Sequence, residues 1–271
     1  MKKGSPYSSS KEHSSSASSN QKFAHIQGHE YKIYPCGTIV NLKKLSASLG
    51  NILESKELLS KYHPEVLTFS ILSNPTQGLK ELTSVDFIAS EKRLYYFYQT
   101  LNAMKNFAAE KSELSDCIAP HGRIIKPDIV DGMITSFVSA INDNFNTSLA
   151  VSEFLQVFKY SNALLNNANE NPLHKLTTLN KIHETILLVA NLLGIFLEEP
   201  EVFILEIKEK YIKLNHIDMK EIQELMDLRQ EAKSKKNYEL SDELKAKLDQ
   251  KGIIVQDSQC NSKWDIKELF V

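Results

Sequence analysis

Apolar residues recur at intervals of three, four and seven along most of this chain, from Leu53 to Leu248, and the two ends depart from that rhythm. Between Thr83 and Lys111 the positions Phe87, Leu94, Phe97, Leu101, Met104 and Phe107 share one helical face, which predicts a long packed helix. Further helices are predicted over Asp128 to Asp143, Thr147 to Asn167 and Pro172 to Phe196. Asn146 or Thr147 stands where a side-chain oxygen caps a free backbone N–H. Upstream, "LESKELLSKY" is short and amphipathic, and "PEVLTFSILS" is almost continuously apolar, with Pro64 at a first helical turn. "NPTQG", Asn74 to Gly78, is a turn, and a polar linker with Pro120, Gly122 and Pro127 follows the long helix. Short connections between amphipathic helices predict an antiparallel, up-and-down helical bundle.

The ends read differently. From Phe23 to Val40 the pattern alternates loosely, and Ile33, Tyr34, Ile39 and Val40 favour strand, with Pro35 and Gly37 breaking it into two pieces. Near Asn215 the composition turns charged. Met219 to Lys235 and Tyr238 to Lys251 read as a helical pair broken at "KKN", Gly252 as its C-terminal stop, and "IIVQDS" as a strand on which Trp264 packs back. The predicted fold is mainly α. It comprises a Ser-rich disordered tail (1–22), a strand-and-loop segment (23–82), the helical bundle (83–214) and a small helix–helix–strand module (215–271).

Composition narrows the classes. The chain has 271 residues, 42% hydrophobic, enough for one large domain or two small ones. A formal charge of −2 makes the whole chain no magnet for polyanions, so any such site is a local patch. Three widely spaced cysteines, Cys36, Cys117 and Cys260, argue for a reducing compartment rather than a disulfide framework. The most apolar run, "TILLVANLLGIFL", falls short of the roughly 20 residues of a membrane span. The tail "MKKGSPYSSSKEHSSSASSN" is too polar to offset its ordering entropy. It has no arginine and carries Glu12, unlike a transit peptide. The cytoplasm is therefore the expected location, with mitochondrion or plastid as alternatives.

Three stretches, in order, resemble the cysteinyl-tRNA synthetase family of class I ligases. "KLSASLGN" looks like the KMSKS loop and its continuation, "INDNFNTSLAV" like a segment opening a helix of the helical domain, and "RQEAKSKKNYELSDELKAKLDQKGIIVQDS" like the C-terminal run. "RLYYFYQTL" sits where the family has its long helix, so the resemblance spans Leu42 to Trp264. It implies an ATP-dependent enzyme that charges tRNA(Cys), with zinc in the full-length family. It also implies a bundle and C-terminal module lying along the tRNA. Lys44 matches the first lysine of the loop, making it the ATP-binding candidate, and Ser46 and Ser48 match its serines. Such a loop serves the reaction because mobile lysines stabilise charge developing at phosphorus.

Departures from the pattern weigh on catalysis. The loop's second lysine is Ala47, and losing a donor of that kind costs about 10²–10³ in rate. Too few residues precede Lys44 for the nucleotide-binding half with its HIGH motif and zinc site. "KIYPCGTIV" resembles the family's opening strand, whereas "FAHIQGH" resembles an H-x-G-H stretch just upstream of the loop, and the spacing favours the second. Leu67–Thr68, "NPTQGLKELTS" and "NSKW" each lose polar or cationic groups of the family pattern and keep its apolar skeleton. His25, His29 and Cys36 do not make a metal site, for they lie in strand-like sequence with no fourth ligand, and no metal ligands are assigned.

For tRNA, the candidates are Arg229, Lys233, Lys235 and Lys236, a cluster of the kind that contacts phosphates. Acids interleave with them, so a salt-bridged solvated helix face competes with that reading. Three functions stay open: a ligase, alone or as half of a split enzyme with a separate catalytic partner; a non-catalytic tRNA-binding or synthetase-associated module; and a relic or partial gene product.

Overall fold

The computed structural model describes residues 22–26, 29–33, 36–40, 43–44, 55–74, 78–117, 122–257 and 262–270. The expected Ser-rich tail lies outside these residues except for Lys22, which opens β1. The first strands are β1 (Lys22–Ile26), β2 (His29–Ile33), β3 (Cys36–Val40) and β4 (Lys43–Lys44). The strand-like region is therefore cut into three pieces before β4. Gly37, expected to break the pattern, lies inside β3, and Pro35 is outside the described residues. β1 and β2 form an antiparallel pair, and β3 lies between β4 and β5 (Gly78–Glu81), parallel to the latter.

The helices follow as α1 (Ser55–Lys61), α2 (Pro64–Leu72), α3 (Ser84–Glu110), α4 (Pro127–Asn142), α5 (Thr147–Asn166), α6 (Pro172–Leu193) and α7 (Pro200–Leu214). Their starts obey local chemistry. Thr83 and Asp86 form a reciprocal capping box at α3, and Asn146 accepts the Leu149 N–H at α5. Pro172 occupies the first turn of α6, whose end is set by Gly194 with a φ of 68°. The helix expected to reach Phe196 therefore stops at Leu193, and α7 is separate. Pattern reading did not resolve α7 because its apolar residues fill more than one stripe: Val202, Leu205 and Leu214 are exposed while Phe203 and Ile207 are buried.

α3 is the hub, touching α2, α5, α6 and α7. On it Phe97 stacks on Phe158 with ring centroids 4.3 Å apart, and Tyr98 stacks on Phe203 at 4.0 Å. Phe196 packs edge-on against Phe97, Tyr98 and Phe154. Phe196 also holds a φ of 56°, a costly conformation for a bulky side chain. The buried carboxylate of Glu65 holds it there, accepting the N–H groups of Phe196 (3.0 Å), Leu197 (2.8 Å) and Glu198 (3.2 Å) and the Tyr98 hydroxyl (2.7 Å). That hydrogen bond and burial push the Tyr98 phenol far above its ordinary pKa, burial being the larger cause.

The C-terminal part consists of α8 (Met219–Ser234), α9 (Tyr238–Gln250) and the antiparallel hairpin β6 (Ile253–Asp257) and β7 (Ser262–Ile266). Ile222, Met226, Leu248, Ile253 and Val255 form its own small core. Val255 pairs across the hairpin with Trp264, so the tryptophan does return onto the strand.

Candidate nucleic-acid interface

The alternation of the hairpin gives it two working faces. Ile253 and Val255 point at α8 and α9, whereas Asp265 turns to the bundle. There its carboxylate accepts the Tyr95 hydroxyl (2.6 Å) and the Gln99 amide (2.5 Å) of α3, with Lys208 of α7 at 3.4 Å. Lys208 also donates to the Trp264 carbonyl at 3.2 Å and lies over the indole ring. The module is thus anchored to the bundle through this buried, multiply bonded carboxylate and through Ile266 and Leu269, which are buried in the bundle's core.

The four basic candidates of this module separate into two kinds. Arg229 is buried, and its two terminal nitrogens grip Asp257 at 2.9 and 2.7 Å, with Ser262 at 3.2 Å. Lys233, one turn on, reaches Asp257 at 2.6 Å. The Arg229 guanidinium holds the Asp257 carboxyl well below the usual carboxylate range; burial opposes it as the next largest effect, and Lys233 and Ser262 each add a smaller lowering. Arg229 therefore staples α8 to the hairpin, and its guanidinium faces inward. The sequence offered no sign of this, because the partner carboxylate lies on a strand, outside the three-and-four spacing that relates residues of one helix.

Lys235 and Lys236 are on the surface at the end of α8. Lys235 pairs with Glu231 at 2.6 Å, an exposed contact of small energetic weight. Lys236 adopts φ 56°, and the Asn237 N–H reaches back to the Ala232 carbonyl at 2.9 Å. This is the left-handed helix stop where glycine fits without penalty, yet a lysine occupies it. Among the described residues, Lys236 has no ion-pair partner.

The loop candidates stand elsewhere. Lys44 ends the edge strand β4, its backbone opposite Ile39, while Ser46, Ala47 and Ser48 lie outside the described residues. Among the described residues no group of three or more His, Cys, Asp or Glu could hold a metal ion. Nor, among them, is any helix long and apolar enough to cross a membrane.

No protein-family model matches the chain. Curated proteins do. A cysteine–tRNA ligase of Geotalea uraniireducens is 28% identical over 233 residues, 84% of this chain and 47% of that protein. One from Nitratidesulfovibrio vulgaris is 27% identical over 228 residues, 84% of this chain and 46% of its own length. One from Geotalea daltonii is 29% identical over 238 residues, with 84% and 47% covered. The chain spans about half the length of the curated relatives it matches. With its ordered motifs and its helical fold, it is thus related in sequence to the cysteine–tRNA ligases.

Proposed function

We propose that this chain is the tRNA-contacting part of a cysteine–tRNA ligase system, that it binds tRNA(Cys), and that it does not activate cysteine by itself. The observation that carries the tRNA reading is the end of α8. A cation sits at Lys236 in a backbone conformation that favours glycine, beside the exposed Lys235. Strain retained at a surface position points to a use for the side chain. The Arg229–Asp257 pair holds that end of α8 against the hairpin, so the two lysines are presented from a braced element. Phosphate contact by them is electrostatic and indifferent to base identity.

On the catalytic side, Lys44 is the residue assigned to the ATP phosphates, with Ser46 and Ser48 as its loop partners. Ala47 stands where the resembling loop has its second lysine, so one charge-assisted donor to the pyrophosphate is missing. Catalysis would then be supplied by a separate nucleotide-binding partner.

A second reading, a helical scaffold with no tRNA contact, is favoured by one observation. Acids answer several of the module's lysines, as in Glu231–Lys235, Glu221–Lys251 and Asp249–Lys267.

Two assays on the purified chain decide between these readings. Filter retention of tRNA(Cys) should be strong at low salt and fall steeply as salt rises; no retention at low salt selects the scaffold. Cysteine-dependent ATP–pyrophosphate exchange should not exceed a heat-killed control, and exchange above it would show that the chain activates cysteine unaided.

A further inference from the structure

Positions 101–108 of α3, 180–187 of α6 and the turn into α7 enclose a cavity of about 480 Å³ to which the C-terminal module contributes no side chain. Its floor is apolar: Leu101, Met104 and Phe196 are buried, with Ala108 beside them. Leu187 and Leu197 line it while remaining 38% and 65% exposed. Leu188 and Leu192 carry the apolar surface further along α6, at 57% and 71% exposure. Exposed leucines grouped around a concave site are the mark of a contact surface, and these extend too far for a ligand that fills only the cavity.

Two polar side chains set what the cavity accepts. Asn180 and His183 stand three residues apart on one face of α6 and line the cavity half-buried. Neither has a hydrogen-bond partner among the described residues. Burial pushes the His183 pKa down, so its imidazole is neutral near pH 7 and offers one donor and one acceptor. The Asn180 carboxamide also carries both kinds of group. A peptide group, with one N–H and one C=O, is their complement, whereas a carboxylate or a phosphate has only acceptors to offer. Inside a helix both peptide groups are spent on the helix itself, so the complement is an extended chain.

Charge narrows the partner. Lys105 is bound to Glu199 at 2.8 Å, whereas Glu198, exposed at the same mouth, has no ion-pair partner among the described residues. Two carboxylates against one ammonium leave the rim with a surplus of negative charge, which repels fatty acids and nucleic acids and favours a cation. We infer that this cavity docks an extended segment of another protein chain, with an apolar side chain such as leucine inside, its peptide group on Asn180 and His183, and a neighbouring lysine or arginine at Glu198. The surface is independent of the tRNA reading, since no residue of α8 or the hairpin lines it.

The probes are blocked tripeptides, acetyl-Ala-Leu-Lys-amide and its variants, added to the full chain labelled at its methionine methyl groups. The readout is the Met104 methyl resonance, assigned through Met104→Leu. Saturable shifts with a Kd of about 1 mM are expected. Serine in place of the leucine should weaken binding about tenfold or more, and glutamate in place of the lysine at least about threefold. N-methylation of the leucine nitrogen, which removes one N–H, should weaken it about fivefold. Glu198→Gln should erase the preference for lysine over glutamate with no change in Tm, because that side chain is exposed and unpaired. Asn180→Ala should weaken binding of the parent peptide while Tm holds, because the carboxamide has no protein partner to lose. Absence of a saturable shift overturns the inference, as does equal affinity for the leucine and serine peptides, indifference to N-methylation, or no preference for lysine. Laurate binding tighter than the peptide would identify a lipid site and overturn it too.

Discussion

The Tyr95 hydroxyl donates a 2.6 Å hydrogen bond to Asp265 across 170 positions of chain, joining the hub helix of the bundle to the last strand of the C-terminal hairpin. Both groups are buried. The same carboxylate accepts from Gln99 and draws Lys208, so three elements meet on two oxygen atoms. In a double-mutant cycle with Tyr95→Phe and Asp265→Asn, the pair should show a coupling of about 1–2 kcal/mol in urea unfolding. Strict additivity would contradict this account of how the module is anchored.

A second buried carboxylate does comparable work inside the bundle. Glu65 is the acceptor for three successive backbone N–H groups at the turn between α6 and α7 and for Tyr98. Glu65→Ala leaves these donors without a partner, at ~1–3 kcal/mol for each that stays buried and unpaired. Chemical denaturation should therefore show a loss of about 3 kcal/mol or more. Tyr98→Phe, which removes only one of the donors, should cost about 1 kcal/mol. Equal losses for the two variants would mean that the turn does not depend on Glu65.

Most helix starts were legible because they are written in local chemistry: the Thr83–Asp86 capping box, Asn146 and Pro172 each act within one turn of the residue that carries them, whereas the helical pattern runs past the stop at Gly194 to Phe196. The module was legible too, since Gly252 and the alternation of "IIVQD" mark a stop and a strand. What escaped were relations across the chain. Glu65 reads as an ordinary first-turn acid, and nothing near it signals partners some 130 positions away, as in its bond to Phe196 at a separation of 131. Arg229 reads as one of four surface cations, yet its side chain is 3% exposed and committed to Asp257. Helical spacing reveals which residues share a face, but not which face a neighbouring strand covers.

That inward pair has a pH signature. Asp257 has a folded pKa lowered below its unfolded value of about 3.9, chiefly by Arg229. Its contribution to stability is then fully present above the unfolded value and is lost as pH falls from there toward the folded one. The stability gap between the native chain and Asp257→Asn, measured by urea unfolding, should be largest near neutral pH and shrink by pH 3. A gap that does not change with pH would contradict the pairing.

The central claim, that the end of α8 meets tRNA, is tested most directly by Lys236→Gly. The substitution installs the residue that the left-handed backbone at φ 56° favours, so it should stabilise the fold by about 0.5–1 kcal/mol. The same change removes a cation, so retention of tRNA(Cys) should weaken and the slope of log affinity against log salt should flatten by about one. Melting and filter binding on the same preparation separate the two effects, because a better-folded protein cannot lose affinity through misfolding. A higher Tm with weaker, less salt-sensitive binding is the predicted result. A higher Tm with unchanged affinity and slope would show that Lys236 touches no phosphate.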